Sequence, residues 1–230
     1  LMSATIDVET FTGYFGGCPV LEVPAGPLHP VEEVHLDQDY FEDFDQSQAL
    51  LQAELDDRSA EAEADASDEP QGGGRWGGDT ADAPMLDLVE AVIRKEVPHV
   101  LKEPEQLSIL CFLPGWAEIR QLSERLQKGE DKSKMWVLQL HSTLPKEEQR
   151  KVFTHAPKGK VKVILGTNIA ESSVTIDDVS VVVDSGLQRE LTYDARKRMS
   201  SLGTVRVSRS SAVQRRGRAG RVREGRVVRL

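Results

Sequence analysis

Beyond residue 84 the apolar positions settle into two alternating patterns. Leu86, Val89, Ile93 and Val97 recur at helical spacing, which predicts an amphipathic helix over 85–97. Residues 108–113 form an almost wholly apolar run closed by Pro114-Gly115, after which Trp116, Ile119, Leu122 and Leu126 return to helical spacing. Residues 135–140 read as a second strand, 145–153 as a helix with proline in its first turn, and 161–165 and 179–183 as two further strands. Apolar runs without a polar alternate suit strands buried on both faces, and intervening helices make such strands parallel. The pattern therefore predicts an α/β fold, a parallel sheet with helices on both faces. Its ligand sites are expected in loops beyond the strand ends.

Past Asp184 the pattern changes. Residues 188–193 and 199–207 flank Asp194-Ala195-Arg196-Lys197-Arg198, which predicts a projecting β-hairpin with a basic tip. Ser208 or Ser210 then caps a helix expected to run through Gln214 and Arg218 to about Val222. Gly225 ends it and 226–230 read as a strand. Residues 45–84 hold little that could bury enough apolar surface to offset chain entropy, and are expected to be a disordered insertion. Gly72, Gly74 and Gly77 in it match a dinucleotide-binding spacing, but no strand precedes them and no helix follows, so they read as linker.

A length of 230 residues allows one domain or one and a fraction. The formal charge of −9, from 29 bases and 38 acids, speaks against a nucleic-acid partner until its distribution is examined. Residues 37–87 hold 16 acids and two bases, whereas 185–230 hold three acids and 13 bases, so a polyanion would be met in the last fifth. Cys18 and Cys111 are too few for a disulfide framework or a four-ligand zinc site. No apolar run approaches the ~18 to 20 residues of a membrane span. An intracellular setting without membrane contact is expected, with cytoplasm, nucleus and mitochondrion left open.

Two segments carry chemistry. In Gln214-Arg215-Arg216-Gly217-Arg218-Ala219-Gly220-Arg221, Arg218 and Arg221 would share one face of the predicted helix and could grip a phosphate between them. The same composition also reads as an Arg/Gly-rich nucleic-acid-binding tract or a surface helix. Residues 166–177 follow a buried strand with small hydroxyl and amide side chains, suited to phosphate and ribose contacts and equally to turns and caps.

These segments resemble motifs V and VI of superfamily 2 helicases, in the form used by the DEAH/RHA group of RNA helicases. Five more matches fall in order. Ser3-Ala4-Thr5 resembles motif III, Phe112-Leu113-Pro114-Gly115 motif IV, Leu140-His141-Ser142 the RNA-contacting motif after it, Phe153 a base-stacking aromatic, and 187–207 the group's β-hairpin. Residues 14–20 and Trp116 look most like the RHA-type branch. In two places the chain departs from the pattern: Gly26-Pro27 stands where many members carry Gly-Arg, and Ser172 where threonine is commoner.

The resemblance implies a RecA-like fold of the P-loop NTPase type and an ATP-dependent RNA helicase. It places Arg218 and Arg221 on the γ-phosphate, Gln214 at the attacking water, and Phe153, Asp177 and Gly217 at the nucleotide. Ser142, Thr167, Asn168, Thr175, Arg196 and Lys197 would contact the backbone of single-stranded RNA, and Ser3 and Thr5 would couple the nucleotide to domain movement. ATP would bind with Mg²⁺, but neither G-x-x-x-x-G-K-[ST] nor Asp-Glu-x-His occurs in the chain. The chain is therefore expected to be a fragment, inactive alone and partnered by the missing first RecA-like domain. Its parts would be the end of that domain (1–18), the start of the second (19–36), the acidic insertion (37–87), which reads as a passive solvated loop or else as a segment that docks a basic protein partner or sweeps over the RNA groove, and the remainder of the second domain (88–230). A non-catalytic RNA-binding or scaffolding paralogue and a DNA translocase are the alternatives.

Overall fold

The computed structural model describes residues 7–22, 29–36, 40, 83–172, 174–194 and 198–230. Three strands, β2 (Ser108–Phe112), β4 (Val161–Gly166) and β5 (Val179–Asp184), are buried at every position, which is why their sequences lack alternation. They are joined by β1 (Val31–His35), β3 (Met135–Leu140) and β8 (Gly225–Arg229) in one parallel sheet of order β1-β8-β5-β2-β4-β3. The strands and this parallel arrangement agree with the sequence pattern. β1 is the exception, since Val31-Glu32-Glu33-Val34-His35 is an edge strand with no buried position and gives no apolar run.

Each face of the sheet has its own core. Ile109, Cys111, Val163, Leu165 and Val183 point to one side, covered by α2 (Ala83–Lys102) and α3 (Trp116–Lys128). Leu110, Phe112, Ile164 and Val182 point to the other, where Val152, Ala170, Ile176 and Ala219 close over them. That second cover is built from short pieces: α4 (Lys146–Arg150), a 3₁₀ turn (Lys151–Phe153) and α5 (Ile169–Ser172). A further helix, α1 (Val8–Tyr14), buries none of its residues among the described ones.

Helix α2 is longer than its periodicity predicts because Val100 continues the buried stripe past Pro98. Of the span 37–87, the described residues join the fold: Met85 and Leu86 are buried in the first turns of α2, and the Tyr40 hydroxyl donates to Glu96 at 2.8 Å. The rest of the expected disordered insertion, including Gly72, Gly74 and Gly77, lies outside the described residues.

The predicted hairpin is present as β6 (Leu187–Asp194) and β7 (Met199–Arg206), an antiparallel pair separate from the main sheet. Arg198 at its turn has φ 51°, while Arg196 and Lys197 lie outside the described residues.

The helix expected to reach Val222 is corrected. Helix α6 (Arg209–Arg216), capped by the Ser208 hydroxyl accepting from Ser211 N at 3.1 Å, stops six residues earlier, and Arg218 and Arg221 do not share a helix face. The physical reason is the approach to β1. The carbonyl of Gly220 accepts from His29 N at 2.9 Å, and a Cβ on Gly220 would stand 2.7 Å from the His29 carbonyl oxygen and 2.6 Å from Val31 Cγ2. Continued helix would carry this segment away from the strand. G220A is expected to lower stability by about 1–3 kcal/mol through overpacking, read as a lower melting temperature; an unchanged melt would contradict this account of the turn.

Candidate functional site

Seven arginines lie between Arg215 and Arg229, and the fold separates them into two kinds. Five are held by carboxylates. Arg215, fully buried, reaches Asp184 at 2.7 Å and Glu171 at 3.3 Å and lies over the Phe112 ring with its guanidinium carbon 4.8 Å from the centroid. Arg216 meets Glu33 at 3.3 Å, Arg223 meets Glu103 and Glu105, and Arg226 meets Glu32 and Glu96. Arg229 joins Asp184 at 3.0 Å and also meets Glu33. Burial pushes the Glu33 carboxyl up, but the guanidiniums of Arg229 and Arg216 outweigh it and hold the group below its usual range.

Arg218 and Arg221 have no carboxylate within 4 Å among the described residues. Arg218 donates instead to the carbonyl of Val174 at 3.2 Å and to that of Glu171, and its buried Nε has no partner. Burial pulls its pKa down to about 10 and the charge of Arg221 adds to the effect, against the opposing pull of Glu171. The group stays charged at neutral pH, so this is a concentration of positive charge short of an anion. Gln214 lies half-buried on α6 one turn before Arg218. Gly217 caps that helix with φ −62°, and its nearest prospective Cβ contact, 3.4 Å to the Gln214 carbonyl, makes no strong demand for glycine.

Beside this turn, a cleft of about 580 Å³ opens at the N-terminal ends of β2, β4 and β5. Phe153, Thr175, Asp177 and Val222 line it, together with the acidic Glu105. Val152 is buried in the short 3₁₀ turn, so its neighbour Phe153 faces outward and is 55% exposed, a position suited to stacking against a flat ring. Thr175, read from the sequence with the RNA-contacting set, stands here with Phe153 and Asp177 instead.

Ser142, Thr167 and Asn168 occupy the opposite edge. β3 and β4 pair in register to Leu140↔Gly166, so the loops that follow them start side by side at the C-terminal ends of the strands. Ser142 and Asn168 are exposed and Thr167 is buried. Burial lowers the His141 pKa, leaving its ring neutral at pH 7, tilted against Trp116 at 5.3 Å between centroids and with Nδ1 2.9 Å from the Thr143 hydroxyl. The hairpin joins this edge through Arg189, which donates to the buried Glu118 at 2.7 Å. Ser3, Thr5, Arg196 and Lys197 lie outside the described residues. Among the described residues, no group of three or more His, Cys, Asp or Glu is placed to hold a metal, and no helix is long and apolar enough to cross a membrane.

Residues 91–223 match the model of the helicase conserved C-terminal domain. The chain belongs to the helicase C-terminal domain family. This domain is 41% identical to the human protein named ATP-dependent RNA helicase DHX30 over 98% of its length, and 37% identical to RNA editing associated helicase 2 of Trypanosoma brucei brucei over all of it. It spans 17% of the first of those proteins and 11% of the second. The crystal structure of the Escherichia coli DEAH/RHA helicase HrpB superposes on the whole chain with a TM-score of 0.68 at 29% identity, the chain covering 23% of HrpB. The fold is therefore RecA-like, and the DEAH/RHA relationship agrees with the motif order.

Two residues that organise this helicase domain, Asp184 and Lys162, carry no motif signal of their own. Asp184 ends an apolar run, yet together with Glu171 of the 166–177 segment it neutralises Arg215. Lys162 interrupts an otherwise apolar strand, and that interruption is the one sequence clue to its role.

Proposed function

We propose that this chain is the C-terminal RecA-like part of an ATP-dependent RNA helicase that moves 3′ to 5′ along single-stranded RNA. The observation that carries the reading is the sorting of the seven arginines: five are paired with carboxylates, while Arg218 and Arg221, the latter one residue before the cleft-lining Val222, have no carboxylate within 4 Å among the described residues. The residues present fit a nucleotide. Phe153 would stack on its base, Thr175 and Asp177 would meet its ribose, and the two arginines would take its phosphates, with Gln214 and Gly217 alongside. With Mg²⁺, whose ligands would lie on the other RecA-like domain, ATP held there would supply the phosphoryl group that passes to water.

Arg218 and Arg221 then neutralise the charge that develops on the phosphoryl oxygens in the transition state. Arg218 also ties nucleotide to RNA, because the carbonyls it holds belong to the segment that continues from Thr167 and Asn168. Those two residues and Ser142 would grip RNA through backbone and 2′-hydroxyl contacts that ignore sequence, with the hairpin, including Arg196 and Lys197, separating strands. Residues 1–18, with Ser3 and Thr5, would belong to the first RecA-like domain, 19–36 and 88–230 to the second, and 37–87 would be an insertion within it.

Two assays test this reading. The 230-residue chain alone should show no ATP hydrolysis above background, since the phosphate cradle is elsewhere. The full-length parent should hydrolyse ATP faster with single-stranded RNA than with single-stranded DNA. Mg²⁺-dependent turnover by the pure chain, or equal stimulation by DNA, would overturn it.

A further inference from the structure

The geometry points to Lys162 as the positioning residue for Phe153: its buried ammonium, braced by Asp178, fixes the aromatic face against which a nucleotide base stacks. This rests on the reading of Phe153 as the base-stacking surface. Lys162 is 1% exposed and sits in β4, whose other five residues are also buried. An ammonium has three donors and no acceptor, and all three are taken. They go to the carbonyl of Val152 at 2.7 Å, the carbonyl of Thr154 at 2.9 Å and the Asp178 carboxylate at 2.7 Å.

The two carbonyls flank Phe153 on either side. One cation thus clamps the backbone before and after the exposed ring, while the buried Val152 side chain anchors the turn below it. Although Lys162 lines the same cleft, it has no donor left for a ligand, so it acts through Phe153. Asp178 completes the brace: its second oxygen accepts from the Ser108 hydroxyl at 2.9 Å at the start of β2, and His155 stands 3.9 Å away on the solvent side. The turn carrying the ring is thereby tied to two central strands. Stacking a base on a ring already held in place costs less ordering entropy than stacking it on a mobile one.

The test compares variants of the full-length helicase by kcat and KM for ATP and by competitive inhibition with pyrophosphate, which has phosphates and no base. F153A is expected to raise KM about tenfold. K162M combined with D178N removes both charges, leaves none buried and unpaired, and is expected to raise KM to a similar extent, with kcat and pyrophosphate inhibition held. Adding F153A to that pair should raise KM no further. If the pair does not fold, K162R serves in its place, since the bulkier cation displaces the two carbonyls and should raise KM in the same selective way. An unchanged KM in F153A would overturn the reading of Phe153 itself. A raised KM in F153A with an unchanged KM in the Lys162 variants would overturn the role of Lys162 alone. Loss of kcat together with weaker pyrophosphate inhibition would make Lys162 a general structural group, and would also overturn the proposal.

Discussion

Replacing Arg218 with alanine in the full-length helicase is expected to lower kcat for RNA-stimulated ATP hydrolysis by about 10³- to 10⁵-fold, the range measured for arginine fingers. That is about 4–7 kcal/mol of transition-state stabilisation. The size follows from where the guanidinium sits. It is partly desolvated, has Arg221 beside it and makes no ion pair within the described domain, so its charge is available to a phosphoryl group in a setting where solvent screens it weakly. R218K should recover little, because a lysine is a point charge without the planar fork that meets two oxygens at once. The melting temperature should fall less than in an Arg215 variant, since the change removes two hydrogen bonds to backbone carbonyls and no carboxylate partner. A kcat within tenfold of the parent would contradict this assignment.

Arg215 should behave in the opposite way. R215M is expected to lower folding stability by about 3–5 kcal/mol, because it strands two carboxylates that the cation now neutralises in the interior. Among the described residues Asp184, 1% exposed, keeps only Arg229 and the Gly186 amide, which donates to it at 3.0 Å; Glu171 loses the cation it now meets. The contact between the guanidinium and the Phe112 ring is lost as well. Urea unfolding followed by circular dichroism measures the loss, and a change below about 1 kcal/mol would mean that the buried network is dispensable.

The comparison of Arg215 with Arg218 shows what was legible in the sequence. Buried strands announce themselves because both faces need apolar side chains, so β2, β4 and β5 stand out as unbroken runs, and the hairpin stands out by its turn. Motif order exposed the family. Neither signal distinguishes one arginine from its neighbour, because the partners that do so, Glu33, Glu171 and Asp184, are distant in sequence and meet the arginines only once β1, β5 and β8 are aligned. The end of α6 was hidden for the same reason. A glycine such as Gly220 admits the close approach of either a ligand or another backbone, and here the backbone that comes close is that of His29. The role of Lys162 is not legible in the sequence because a lysine in a strand ordinarily faces water, and its two carbonyl partners straddle the end of the helix expected over 145–153.

The central claim, that the fold sorts these arginines into those that hold the domain together and those reserved for phosphate, has a direct measurement. Each of the seven arginines from Arg215 to Arg229 is changed to alanine in the full-length helicase, and kcat per folded molecule is plotted against melting temperature. The account predicts that R218A and R221A lose far more kcat than R215A and R229A for a smaller fall in melting temperature, while R215A and R229A lose melting temperature and keep more of their kcat per folded molecule. The contradicting result is R218A and R221A falling on the stability axis with the others while turning over ATP at the parent's rate.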